Sequence, residues 1–257
     1  MSNILALKLL LVPSLIVAIT LSGRKWGASV AGWLSAFPIV AGPILFFIAM
    51  ERGADFARSA SEGTMSAVIA ILVFGLAYSW AATRLAWQAS LCCGFVAYAM
   101  AVWLLTSLRL SLPVVTPAVL IALYLSPGLF PAVANTGKPA AAGKFDLPMR
   151  MAIGALLVLS VTYFATSLGP RLSGLFAMFP VMSTVLVVFS HRSAGSGFAI
   201  NLLRGMVYGW YSFATFCIIL NLTLLPLGIT SAFLSALAAA AVVQIASRRL
   251  LQNTRGG

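Results

Sequence analysis

Long apolar runs alternate with short polar segments along this chain. A membrane-spanning helix needs about 20 predominantly apolar residues, because the hydrocarbon core of a bilayer is about 30 Å thick. Runs of this kind predict nine helices, at 4–22, 28–50, 64–82, 86–107, 113–130, 148–168, 172–190, 205–226 and 229–247. The fifth run is the weakest, since it is short and contains three prolines. The pattern therefore predicts an all-α integral membrane protein with about nine transmembrane helices.

Composition supports a membrane location. Of the 257 residues, 61% are hydrophobic and only 8% are charged, and the mean hydropathy is +1.05. A soluble domain carries roughly 25% charged residues, because its surface must be solvated. Cys92, Cys93 and Cys217 all lie within apolar runs, and no Cys/His spacing fits a disulfide framework or a zinc site. We expect a lipid bilayer as the main partner, with no metal and no cofactor.

The charge balance is strongly basic, with sixteen Lys and Arg against four acids and a net charge of +12. Cytoplasmic loops of membrane proteins collect basic residues, so this balance does not require a nucleic-acid partner, and we expect none. With nine spans, four basic residues lie on one side and eleven on the other, which are Arg24, Lys25, Arg84, Lys138, Lys144, Arg150, Arg192, Arg204, Arg248, Arg249 and Arg255. This count places the C-terminus in the cytoplasm and the N-terminus outside a bacterial-type inner membrane.

The charge count does not decide between eight and nine spans. If 113–130 does not cross the membrane, the membrane orientation of the first half is reversed, and the basic residues on the two sides again number eleven and four. Crossing is favoured because the segment holds 19 consecutive uncharged residues.

A sequence repeat relates the two halves. "GWLSAFP" at 32–38 returns as "GLFAMFP" at 174–180, and a shift of 142 residues aligns nine identities in 37 ungapped positions from 27 to 63. The same shift pairs Lys8 with Arg150. We therefore expect two four-span units, at 1–110 and 146–257, joined by a connecting span and a cytoplasmic loop at 111–145. If the connector crosses the membrane, the second unit is inverted relative to the first, as in many secondary transporters.

The prolines of the repeat lie near the middle of their spans. Pro38 and Pro180 each lack a backbone N–H and clash with the preceding turn, so the helix must kink or break there. The freed carbonyls must face protein or a watery cavity. We therefore expect a substrate site between the two breaks, lined by Phe37, Pro38, Gly42, Phe179, Pro180, Ser183 and Thr184. Close packing through Gly32 and Gly174 is the alternative explanation of the motif.

The four-span unit resembles the GlpM family of small bacterial inner-membrane proteins. The resemblance rests on Gly174-x-x-x-x-Phe179-Pro180, the apolar run after it, the segment "SHRSAGSGFAINLLRG" and the aromatic-rich "MVYGWYSFATF". It covers about 100 residues of each half, and the second half matches better. It implies a membrane protein built as a tandem pair of such units, and it implies little about mechanism.

Charged residues within or beside the spans are the remaining candidates. Lys8 and Arg150 are repeat-equivalent cations inside spans, where a charge is by default a functional-site hypothesis, although a long side chain one turn from the end can snorkel to the headgroups. Glu62 and Arg204 are expected at the start of the third span of each unit, where the helix dipole favours the glutamate and leaves Arg204 in need of an anionic partner. His191 is expected at the end of a span beside Arg192, either as an incidental residue or as a proton-coupling group. The mixed charges of 51–58 are expected to form a solvated turn.

No acid pair, His/carboxylate arrangement or Gly-rich phosphate loop lies within the apolar runs, so we expect no enzyme and no catalytic residues. The first hypothesis is a secondary transporter or exporter of an unidentified small molecule, with a lean toward an anionic or phosphate-bearing molecule or lipid that Lys8, Arg150 and Arg204 would contact. The second is a non-transporting accessory subunit for envelope polysaccharide or lipid assembly. A homodimer is compatible with both.

Overall fold

A computed structural model describes residues 2–38, 41–108, 111–133, 145–167 and 180–253. The regular structure in these ranges is helical. In chain order the helices are α1 (Ser2–Trp26), α2 (Ala28–Ser35), α3 (Ala41–Arg52), α4 (Ala54–Ala82), α5 (Trp87–Leu108), α6 (Leu112–Leu129), α7 (Asp146–Ser167), α8 (Val181–Ala194), α9 (Ser196–Leu227) and α10 (Ile229–Asn253).

Six of the described helices are long and apolar enough to cross a membrane, namely α1, α4, α5, α6, α9 and α10. The chain is thus an all-helical protein of the multi-pass membrane type. The weak fifth run is among the six, as the 18-residue helix α6. The count of nine spans and the division at 110 and 146 stay predictions.

The second predicted run is interrupted at its Phe-Pro pair, as the proline pattern predicts. Helix α2 ends at Ser35, Phe37 and Pro38 lie in a turn, and α3 begins at Ala41. The Leu34 carbonyl, which Pro38 leaves without its i+4 donor, accepts the N–H of Phe37 at 3.4 Å, and the Pro38 carbonyl accepts the N–H of Gly42 at 2.9 Å at the start of α3. Proline likewise marks the start of α8, because Pro180 is the residue before its first helical position. Phe179 and the rest of the run before it lie outside the described residues.

Helices α4 and α9 begin about ten residues earlier than the apolar pattern predicts. Each follows a single glycine with positive φ, Gly53 at +88° and Gly195 at +86°, so one residue is enough to turn the chain between two helices. The predicted polar turn at 51–58 is therefore wrong. Its charged side chains are exposed as expected, but they belong to the last turn of α3 and the first turns of α4, because a helix satisfies its own backbone beyond the apolar run.

The helix boundaries follow the same shift as the sequence repeat. Helices α4 and α9 begin at residues 54 and 196, and α5 and α10 begin at 87 and 229, so both pairs are 142 residues apart. Contacts between elements are also reciprocal, since α3 of the first half packs against α10 and α8 of the second half packs against α5.

Two pairs of helices that the predicted repeat relates, α1 with α7 and α4 with α9, pack against each other in antiparallel orientation. In the α1–α7 pair, Arg24 near the end of α1 reaches Asp146 at the start of α7, and Ile16 packs on Gly154 further along. In the α4–α9 pair, Ser61 near the start of α4 bonds to Asn221 near the end of α9, while Leu203 packs on Gly75.

Helix α2 packs directly onto the backbone of α9. A methyl group at Gly32 would overlap the carbonyl oxygen of Leu202, and methyl groups at Gly205 and Gly209 would overlap the carbonyl oxygens of Ser29 and Trp33. Small residues four apart allow this close approach between membrane helices. The α2–α9 contact is therefore a glycine seam that joins the first half to the second.

Candidate functional site

A cluster of three charged side chains lies where α1 meets α7. Arg150 is 3% exposed and sits one turn inside α7. Its Nε donates to Oδ2 of Asp146 at 2.9 Å, and Nη2 of Arg24 donates to the same oxygen at 2.8 Å. The Arg150 guanidinium also lies 5.0 Å from the ring centroid of Phe189. These contacts fix its orientation, so Arg150 does not snorkel freely toward the headgroups.

A small cavity opens beside this cluster. It is lined by Arg24 and Arg150 together with Ile19, Thr20, Gly23, Ala31, Leu186, Ser190, Ser193, Phe198 and Leu202. Its volume of about 20 Å³ is enough for roughly one water molecule. The Thr20 hydroxyl is buried and has no hydrogen-bond partner in the described part of the chain. A guanidinium and an unpaired hydroxyl in one cavity form a polar site that can donate hydrogen bonds.

Arg204 has a different environment from the one expected. It lies in the third turn of α9, not at a helix start, so the helix-dipole argument for it is wrong. Its Nη2 donates to the carbonyl oxygens of Phe130 and Pro131, at 3.3 and 3.0 Å, just beyond the C-terminus of α6. A cation at the C-terminus of a helix is favoured by the exposed carbonyls there. These carbonyls take the place of the anionic partner that we expected for Arg204.

Glu62 also lies in the third turn of its helix, so the same correction applies to it. Nδ2 of the buried Asn221 donates to its carboxylate at 3.4 Å and to the Ser61 hydroxyl at 3.2 Å. Nε of Arg58 donates to Oδ1 of Asn221 at 3.3 Å. This polar network joins the start of α4 to the end of α9, at the opposite end of the bundle from Arg150.

His191, expected at the end of a span, lies near the end of a helix. It lies in the last turn of α8, and its Nδ1 is 2.8 Å from the hydroxyl of Tyr78. The contact ties α8 to the buried face of α4.

The Phe-Pro breaks are packed differently from the predicted crevice. In the described part of the chain, Gly42 is surrounded by Phe216 and Leu237, which are apolar. Pro38 and Pro180 are buried, and Phe37 packs against the core. The nearest neighbours of Gly42 after the first break are therefore apolar, and α2 before it is held to α9 by the glycine seam.

The residues after the second break are partly polar. The hydroxyl of Ser183 is 3.4 Å from the sulfur of Met206, whose backbone faces Gly32 across the seam. Thr184 is buried and its hydroxyl has no partner among the described residues. Gly32 of the first motif and Ser183 after the second therefore approach the same stretch of α9, but Gly42 and Arg150 are not brought together with them in one described cavity. The side chain of Lys8, like Phe179, lies outside the described residues.

Sequence reasoning missed three residues of this site. Arg24 counted only as a loop charge, Thr20 lay within an apolar run, and Asp146 was the first residue of the second unit, before its first predicted span. One signal was present, because Asp146 and Arg150 are four residues apart and can pair on one helix face.

Comparison of the chain with protein-family models, curated proteins and solved structures found no match.

Proposed function

We propose that the protein is a small secondary transporter or exporter of a bacterial-type inner membrane. It consists of two inverted four-span units, at 1–110 and 146–257, joined by α6. The resemblance of each unit to the GlpM family belongs to this proposal. Its substrate is a small molecule, with a lean toward anionic or phosphate-bearing molecules or lipids because basic side chains line the polar cavity.

The antiparallel packing of equivalent helices is the observation that carries the proposal. Two repeats related by an axis along the membrane normal keep equivalent helices parallel, whereas an axis in the membrane plane reverses them. Both α1–α7 and α4–α9 are reversed, as the Arg24–Asp146 and Ser61–Asn221 contacts require. Inverted repeats of this kind supply the two access states of many secondary transporters, because each half can take the other's conformation.

The helices that follow the Phe-Pro pairs lead to opposite ends of the bundle. Helix α3 runs from the first break to Gly53 and the start of α4, at the end that carries Arg58 and Asn221. Helix α8 runs from Pro180 to Ser193, which lies within 3.5 Å of Arg150 at the other end. Helices that start or break in corresponding places of two halves, each leading to one side, are a common arrangement around transporter sites.

The distribution of basic residues indicates which end of the helix bundle faces the cytoplasm. Arg24, Arg84, Arg150 and Arg192 lie at the end of the bundle that contains the polar cavity, which the positive-inside rule makes cytoplasmic. This leaves the N-terminus outside and the C-terminus in the cytoplasm.

The glycine seam favours the second candidate function. Close, dry packing of α2 on α9 at the first break is what a non-transporting assembly subunit needs, since such a protein requires packing faces and no hydrated path. An accessory role in envelope polysaccharide or lipid assembly is therefore the alternative.

Labelling from the two sides of the membrane distinguishes the candidates without knowledge of the substrate. Cys92, Cys93 and Cys217 are replaced by alanine, and Thr20→Cys is introduced in the cavity. A transporter exposes this position to each side in turn, so a membrane-impermeant maleimide labels it in both right-side-out and inside-out vesicles. Labelling from one side only contradicts alternating access.

Two control variants fix the sidedness of the vesicles. Glu51→Cys and Arg84→Cys are exposed, at opposite ends of the bundle. We expect the Glu51 variant to react only in right-side-out vesicles and the Arg84 variant only in inside-out vesicles.

A further inference from the structure

We propose that the cavity beside Arg150 is a binding site for a small monovalent anion of about the size of chloride. Arg150 supplies the charge and Thr20 a hydroxyl donor. The inference adds a ligand class to the proposed transport function and rests on it for biological meaning, although binding itself does not require transport.

Charge balance at the cluster is the first argument. Two guanidiniums, of Arg24 and Arg150, share one oxygen of a single carboxylate, so the cluster keeps an excess of one positive charge. The chain has only four acids. Glu51 and Asp55 flank Gly53 and Glu62 bonds to Asn221, all at the far end of α4. No other acidic side chain of this protein can therefore balance the excess.

Burial makes this excess costly. Arg150 is almost completely buried and the Asp146 side chain is 12% exposed, whereas the Arg24 side chain is 33% exposed and is partly solvated, so the cost falls mainly on Arg150. An unbalanced charge taken out of water is strongly disfavoured unless an opposite charge or several hydrogen bonds compensate it. An anion taken up from the aqueous side would supply the missing charge.

The hydrogen-bond inventory selects an anion over a cation. Thr20 is 7% exposed and lines the cavity. Its hydroxyl has no hydrogen-bond partner among the described residues. A hydroxyl rotates to donate its proton, and a guanidinium can only donate. A cation would meet the Arg150 charge at close range, whereas an anion accepts from both groups. The volume of about 20 Å³ limits the ligand to one or a few atoms.

The repeat preserves this pair of residue types. The shift of 142 residues that aligns Arg150 with Lys8 also aligns Thr20 with Thr162.

Thermal unfolding in detergent tests the site with chloride as the probe. Chloride is titrated against gluconate at constant ionic strength, because gluconate is too large for the cavity. A ligand that binds only the folded state raises the melting temperature in a saturable manner, here by about 5–10 °C at a hundredfold excess over the dissociation constant. Absence of a saturable rise in the wild-type protein overturns the proposal.

Variants test whether the chloride-dependent rise in melting temperature comes from the cavity beside Arg150. Thr20→Val keeps the shape of the side chain and removes its donor, so we expect the apparent dissociation constant for chloride to increase about tenfold. Arg150→Gln should abolish the response. Thr64→Val is the matched control, since the Thr64 hydroxyl bonds to the Ala60 carbonyl within its own helix. An unchanged chloride response in Thr20→Val contradicts the assignment even if Arg150→Gln does not fold.

The two proposals fail separately. Chloride binding with one-sided labelling of Thr20→Cys rejects transport and keeps the site. Two-sided labelling without chloride dependence rejects the anion site and keeps transport.

Discussion

Gly205 and Gly63 occupy equivalent positions of the two halves, yet their surroundings differ. A methyl group at Gly205 would overlap the backbone of Ser29, whereas nothing lies within 4 Å of one at Gly63. Gly205→Ala should therefore destabilise the protein by about 1–3 kcal/mol, the usual range for overpacking. Gly63→Ala should be neutral or stabilise it by up to about 1 kcal/mol, because alanine is the better helix former.

Thermal unfolding of the two variants in the same detergent measures this difference. If both substitutions lower the melting temperature equally, α2 does not pack on α9 through glycine as described.

At the residue scale, the sequence indicated which charged side chains are candidates for a functional site, but it did not indicate which groups they contact. Arg150 and Arg204 both stood out as cations near apolar runs. Their partners were not predictable, because Asp146 and Arg24 are 122 residues apart and the carbonyls that Arg204 binds belong to a different helix. Backbone carbonyls in particular leave no mark in a sequence, so the contacts of Arg204 with Phe130 and Pro131 could not be predicted, and its anionic partner stays a prediction.

At the element scale, two single-glycine turns define where helices meet. Gly53 and Gly195 share φ near +87° and ψ of 169°, a region essentially restricted to glycine. A methyl group at either position would have no atom within 4 Å, so backbone strain alone decides the cost of a side chain there. We expect Gly53→Ala and Gly195→Ala to destabilise the protein by similar amounts, about 1–3 kcal/mol each, in thermal unfolding.

Gly128→Ala is the control for this pair. Gly128 lies inside α6 with equally open surroundings and has no positive φ, so its substitution should leave the melting temperature unchanged or slightly higher. A Gly53 variant as stable as the Gly128 variant would show that the turn tolerates a side chain.

The elements were predicted well in type and less well in extent. Apolar runs locate the part of a helix that suits hydrocarbon, and the runs within α4 and α9 begin at 64 and 205, shortly after charged residues. The two helices begin before those charges, because an exposed helical turn can carry charged side chains in water. The break at Pro38 was predicted correctly, since proline acts on the backbone of its own segment and needs no distant partner.

At the scale of the whole molecule, α6 decides the relation between the halves. It is an 18-residue helix long and apolar enough to cross. If the first half crosses four times, as predicted, the antiparallel packing of α1 with α7 requires an odd number of crossings between the halves. Topology reporters fused at residues 110 and 140 should therefore report opposite sides, with residue 140 and the C-terminus both cytoplasmic. Reporters on the same side would make the repeats parallel and would remove the main support for alternating access.

The repeat was visible in the sequence, whereas the position of the polar cavity was not. The 142-residue shift follows from local matches, so it could be read directly. The cavity depends on α1, α7, α8 and α9 meeting at one end, and the Phe-Pro motif pointed elsewhere because the same glycines also serve close packing.

The bond between Trp33 and Ser247 has a consequence for biosynthesis. Nε1 of Trp33 donates to a hydroxyl that lies 214 residues further along the chain, and Gln244 donates to the Trp33 carbonyl. At ribosomal rates of about 5–20 residues per second, α2 waits roughly 10–40 s for these partners to be made. During that interval its glycine face and indole N–H are uncovered in the membrane. We therefore expect the first half, made without its partners in α9 and α10, to be cleaved by membrane proteases faster than the complete chain.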